Sequence, residues 1–127
     1  DNGDVVFSWS GSLLVDLWCG GIGALNQHLF KVTSKKYPKW FYYFWTKHHL
    51  EEFQRIAADK ATTMGHIKRQ HLSEAKVLIP PDDIIEAADI LIAPILENYV
   101  LVNLESHNLV KLHGTLLPRL MSGEIEV

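Results

Sequence analysis

Seven histidines, one cysteine and fifteen carboxylates are the residues with which this chain could do covalent or metal chemistry. Their spacing argues against each familiar use. His48 and His49 are adjacent, and His66 and His71 lie five apart, off a common helical face. A zinc protease needs two histidines at i and i+4 on one face. Cys19 stands alone, which rules out an internal disulfide framework and a cysteine-based zinc site. Nothing beside it in sequence would lower its pKa and make it a nucleophile. Gly21-Ile22-Gly23-Ala24-Leu25-Asn26 falls one glycine short of the dinucleotide fingerprint. It also leads into a predicted strand, where a pyrophosphate needs a helix N-terminus. No glycine-rich loop ends in Lys-Ser/Thr. Pro81-Asp82 lacks the downstream acid-x-Lys of a metal nuclease, because Glu74-Ala75-Lys76 lies upstream of it. Ile79-Pro80-Pro81-Asp82 lacks the flanking Asn or Asp, and the aromatic, of an amino-methyltransferase. No catalytic residue set emerges, and no metal-ligand set.

The run Trp40-Phe41-Tyr42-Tyr43-Phe44-Trp45 invites a base-stacking reading. Stacking on side chains needs unpaired or extruded bases. Six consecutive aromatics on a helix point in every direction, so most fill a core, with Tyr42 or Tyr43 as the surface contacts.

The elements that must position any site follow from periodicity. Val5–Phe7 reads as a short strand, followed by a polar loop through Ser8-Trp9-Ser10-Gly11-Ser12. Residues 13–18 form a second strand, closed by Gly20-Gly21-Ile22-Gly23. From 27 to 33 the alternation gives a third, with Gln27, Leu29, Lys31 and Thr33 on one face and His28, Phe30 and Val32 on the other. Pro38 suits the first turn of a helix through the aromatic run. A second helix covers 50–58, a loop Thr62-Thr63-Met64-Gly65, a helical turn 67–72 and a short strand 75–79, stopped by Pro80-Pro81. Beyond the prolines the pattern is helical. Asp83 and Glu86 have capping-box spacing, and Pro94 divides a short helix from a long one. Counted in sevens, Ile92, Tyr99, Ser106, His113 and Leu120 alternate with Ile95, Val102, Leu109 and Leu116, a coiled-coil-like stripe. Leu101, Leu104, Asn108 and Leu112 add surface on another face. A helix over 95–117 would be about 35 Å long, and its two apolar faces predict packing on its own domain and on another helix.

Composition and charge set the outer bounds. The 127 residues are 47% apolar and 21% charged, which excludes wholesale disorder and suits one modest core. No apolar run reaches the roughly 20 residues of a spanning helix. The lone thiol and the lack of a charged-then-apolar leader make a reducing cytoplasm the expected compartment. Residues 1–30 hold three acids and no Lys or Arg; residues 31–76 hold ten basic residues against four acidic, and residues 77–127 two against eight. A positive middle suits a polyanion, while the negative end is unsuited to lying along phosphates. Ordinary solvated side chains would give the same pattern.

Two stretches and three closing motifs together carry a resemblance. Gly3-Asp4-Val5-Val6-Phe7-Ser8-Trp9-Ser10-Gly11-Ser12 and Ala24-Leu25-Asn26-Gln27-His28-Leu29-Phe30-Lys31-Val32 resemble a target recognition domain. Thr63-Met64-Gly65-His66-Ile67 and Val77-Leu78-Ile79-Pro80-Pro81 resemble that domain's end, and Leu116-Leu117-Pro118-Arg119-Leu120-Met121-Ser122-Gly123-Glu124-Ile125 the C-terminus of the same family. The family is the specificity subunit of type I restriction–modification systems. The resemblance implies an α+β chain: a small, partial mixed α/β recognition domain over 1–81, then a conserved helical region over 82–127 with a long C-terminal helix of coiled-coil type. Such domains begin some tens of residues before the Gly3-Asp4-Val5 strand, so the expectation is the second part of one domain plus its terminal helix.

The same resemblance implies a subunit that performs no chemistry. It reads one half of a split site in double-stranded DNA and docks a methyltransferase subunit, with a second specificity half or a second copy as a further partner. It needs no cofactor of its own: S-adenosylmethionine, ATP and Mg²⁺ belong to partner subunits. A reading surface combines phosphate anchors with amides and hydroxyls that face base edges. Lys35, Lys36, Lys39, Lys68 and Arg69 are the phosphate candidates, and Ser8, Ser10, Ser12, Asn26 and Gln27 the base or sugar candidates. Turn capping and strand pairing are the competing roles for Asn26 and Gln27. Ile92, Ile95, Tyr99, Val102, Leu109 and Leu116 are the expected assembly residues. The alternative function is a helix-mediated dimerisation or assembly fragment that does not bind DNA by itself.

Overall fold

Three short stretches of alternating apolar residues form the sheet on which everything else rests. β1 spans Val5–Ser8, β2 Leu14–Leu17 and β3 Leu29–Val32, antiparallel in the order β2-β1-β3. The structure, a computed structural model, describes residues 1–59 and 67–125. Register places Val5 beside Leu17 and Val32, and Phe7 beside Val15 and Phe30. Successive side chains in a strand point to opposite faces, so one face is wholly apolar. Val5 and Phe7, on the central strand, are each 1% exposed. Gly11, at φ 70°, lets the chain reverse tightly between β1 and β2.

Among the described residues four helices follow: α1 Lys39–His48, α2 Leu50–Asp59, α3 Arg69–Glu74 and α4 Asp82–Met121. Tyr43 from α1, Phe53 and Ala57 from α2, Ile67 before α3 and Leu96 from α4 close over the apolar face in one core with Val5, Phe7, Leu13, Val15 and Leu17. The fold is α+β, a small antiparallel sheet with helices and a long C-terminal helix.

The structure corrects several expectations. Residues 75–79 are not a strand. Among the described residues they have no ladder partner; instead His49 Nε2 bonds the Lys76 carbonyl at 2.9 Å, and Val77 and Ile79 line a cavity. Pro94 does not divide the C-terminal region, since α4 runs unbroken for 40 residues through both Pro94 and Pro118. Each proline removes one backbone donor. Burial of Ile85 before Pro94 and Leu96 after it keeps both sides against the domain. The Asp83–Glu86 capping box is absent because the helix starts earlier. Pro81 is the N-cap and Asp82 and Asp83 lie in the first turn, where their charge favours the helix dipole. Pro38 is likewise the N-cap of α1, one position outside it. Tyr43 is 3% exposed and a core residue, leaving Tyr42, half-buried, as the more accessible tyrosine. The third strand starts at Leu29, two residues later than its alternation implies. The Thr62–Gly65 loop and His66 lie outside the described residues.

α4 has two apolar stripes one residue out of step. Ile85, Ile92, Leu96 and Val100 turn toward the domain. Ile95, Tyr99, Val102, Leu109 and Leu116 are exposed, so of the expected seam only Ile92 faces inward. His107 Nδ1 contacts the Cys19 carbonyl at 3.2 Å. From Asn108 to Met121 every helical residue is exposed, a stretch of about 20 Å.

Candidate nucleic-acid interface

The polar candidates converge at one end of the sheet. Trp9 organises them through its backbone and its indole. Its N–H donates to the His28 carbonyl at 3.2 Å, and its carbonyl accepts from Ile67 N–H at 3.3 Å. Its indole Nε1–H donates to the Gln27 carbonyl at 3.1 Å. The end of β1, the turn into β3 and the approach to α3 are thereby tied together. Ser8 Oγ donates to the Ser10 carbonyl at 3.3 Å, and Ser10 Oγ lies 2.7 Å from His28 Nδ1. Gln27 Nε2 lies 3.2 Å from His28 Nε2. Asn26 Oδ1 accepts the His28 N–H at 2.8 Å, and the Asn26 carbonyl accepts from Leu29 N–H. Asn26 therefore spends its side-chain oxygen on the turn, whereas Gln27 precedes the strand and pairs in no ladder. Ser12 is exposed in the β1–β2 turn.

The cations do not form one surface. Lys68, the N-cap of α3, and Arg69, its first residue, follow Ile67, whose N–H bonds the Trp9 carbonyl. Lys68 N–H donates to His71 Nδ1 at 3.0 Å, fixing the approach to that helix. Lys35 and Lys36 are exposed beyond the far end of β3, about 13 Å along the strand, with Lys36 Nζ 5.2 Å from the Tyr37 ring centre. Lys39 lines a cleft together with Asp89 and Glu97 of α4. Lys31 is committed to Asp4 at 2.8 Å, and that ammonium holds the Asp4 carboxyl below the usual carboxylate range.

A cavity of about 530 Å³ lies between β3, α1 and residues 69–79. Phe30, Tyr42, Trp45 and Leu72 line it, with Arg69 and Lys31 among its polar members. Its walls are mostly hydrocarbon. Cys19 is no better placed, because burial, and secondarily Asp16, push its thiol upward, away from reactivity. Among the described residues no three His, Cys, Asp or Glu side chains stand together as a metal would require.

His28 is the residue that sequence reasoning passed over. Period-two alternation assigned it to the face of Phe30 and Val32, but β3 begins one residue after it. The signal was its position between Gln27 and the strand, next to an Asn able to make a turn. Comparison with protein-family models, with curated proteins and with solved structures finds no match in any of the three. No helix among the described residues is long and apolar enough to cross a membrane.

Proposed function

We propose that the chain is a non-catalytic DNA-specificity module of the type I restriction–modification kind. It reads one half of a bipartite duplex site through the Ser8–Ser10–Asn26–Gln27 end of the sheet and docks a methyltransferase subunit through α4. The observation that carries this reading is the meeting of hydroxyl and amide side chains that lie far apart in sequence, tied through Trp9 to the Ile67 that precedes Lys68 and Arg69. Phosphate contacts fix register on a duplex, and neutral donors and acceptors read base edges. The acidic α4 leaves the other way, as a spacer held off the phosphates should. In this reading the chemistry, with its S-adenosylmethionine, ATP and Mg²⁺, belongs to partner subunits in the cytoplasm.

The test is duplex affinity titrated against salt. Lys68→Ala and Arg69→Ala should each reduce the slope of log affinity against log salt by about one unit. Unchanged slopes would remove both from the interface.

The exposed row Ile95, Tyr99, Val102, Leu109 and Leu116 favours a second reading, assembly without DNA binding. Solution mass and duplex binding, measured separately, distinguish the two. Val102→Asp and Leu109→Asp should each lower the mass of any assembled species; an unaltered mass would show that this row is not the seam.

A further inference from the structure

We propose that His28 sets the hydrogen-bond polarity of the reading groups, holding Ser10 as an outward donor and Gln27 with its side-chain oxygen outward as an acceptor. The inference rests on the DNA-reading function proposed above and assigns the residue that gives that surface its base preference. The imidazole bridges the two side chains, with Nδ1 2.7 Å from Ser10 Oγ and Nε2 3.2 Å from Gln27 Nε2. A carboxamide nitrogen can only donate, so His28 Nε2 must accept. In a neutral ring the proton then sits on Nδ1, which donates to Ser10 Oγ. The Ser10 hydroxyl keeps its own proton for an external acceptor. Gln27 gives one N–H to the ring and retains the other N–H and Oε1. Those two groups complement N7 and the N6 amino group of adenine in the major groove, and Ser10 adds a donor beside them.

The frame beneath this array is fixed. Two bonds from Trp9, at 3.2 and 3.1 Å, hold the carbonyls of His28 and Gln27, and Asn26 Oδ1 holds the His28 N–H at 2.8 Å. The Trp9 ring lies 6.2 Å from the imidazole, tilted by 38°. A side chain already held in its binding geometry loses less freedom when the partner arrives. His28 is thus a positioning residue: its ring nitrogens are occupied by Ser10 and Gln27, and its effect on DNA passes through them.

The polarity can be reversed with one near-isosteric change. Gln27→Glu presents only lone pairs to Nε2, so a neutral ring carries its proton there and Nδ1 accepts from Ser10. The outward donor is then consumed. Nitrogen-15 NMR of the whole chain at about pH 8, where histidine is ordinarily neutral, reads the ring directly. Wild type should show a protonated Nδ1 and a bare Nε2, and Gln27→Glu the opposite. A wild-type ring protonated at Nε2 overturns the proposal. A second arm uses enrichment from a randomised duplex pool. His28→Phe should keep salt-dependent affinity within about threefold while losing about tenfold of its preference at one base pair. Ser10→Ala, which deletes only the donor, should lose preference at the same pair and replaces His28→Phe if that variant fails to fold. Preference equal to wild type in these variants overturns the inference. A wild-type chain with no base preference overturns the DNA-reading function instead, and the ring tautomer still decides the polarity.

Discussion

Asp4 is held by the ammonium of Lys31, which approaches it at 2.8 Å and keeps its carboxyl below the usual carboxylate range. Both side chains are partly exposed, at 22% and 42%, so water screens the pair and it contributes no more than about 1 kcal/mol. An acid depressed by folding adds stability that is complete above its unfolded pKa of about 3.9 and is lost as pH falls through the lower, folded value. Asp4→Asn should therefore destabilise the chain by roughly 0.5–1 kcal/mol at neutral pH. The gap should close once acid protonates the carboxyl in both states. Urea unfolding from neutral to strongly acidic pH measures it; a gap that survives in acid would mean that the carboxylate is not its source.

At the scale of elements, Pro94 shows how far local rules reach. A proline removes the donor to the carbonyl four residues back and crowds it, which is why the sequence predicts a break. Helix α4 absorbs that cost because Ile85 and Leu96 are buried on either side. Pro94→Ala should restore one backbone bond and raise stability by about 1–3 kcal/mol. Calorimetric melting would show this as a higher midpoint, and a lower one would mean that the ring itself packs usefully. The third strand was legible by alternation and the first two by short apolar runs closed by glycine-bearing turns; Val5 and Phe7, Val15 and Leu17, and Phe30 and Val32 all lie in or against the core. The segment at 75–79 has a similar composition but pairs with neither edge strand, β2 nor β3, and pairing is a tertiary fact that composition cannot encode. Candidate residues were legible by type. Their grouping was not, since the bonds from Trp9 to His28 and from Ile67 to Trp9 join segments distant in sequence. Lys39 illustrates the gap, being basic like Lys68 but lining a cleft with Asp89 and Glu97 of α4.

For the whole molecule, the question is why a chain of this size carries a helix of about 60 Å. Its N-terminal half is part of the domain: Leu96 is 7% exposed and shares a core with Val5, Phe7 and Tyr43. Beyond His107 the helix leaves the domain, and Leu109, Val110, Leu112, Leu116, Leu117, Leu120 and Met121 face solvent. An isolated helical stretch of that length is marginal in water, and a contiguous exposed apolar row usually marks a partner surface. The two halves should respond differently to the same truncation. Leu96→Ala should destabilise the monomer by about 2–4 kcal/mol, because it opens a cavity in the shared core. Leu109→Ala should change monomer stability by no more than about 0.5 kcal/mol, because the side chain leaves little contact behind. Chemical unfolding at protein concentrations low enough to hold the chain monomeric makes the comparison. If Leu109→Ala proved as damaging as Leu96→Ala there, the distal helix would be packed within the single chain, and its apolar row would no longer be a surface that another subunit could cover.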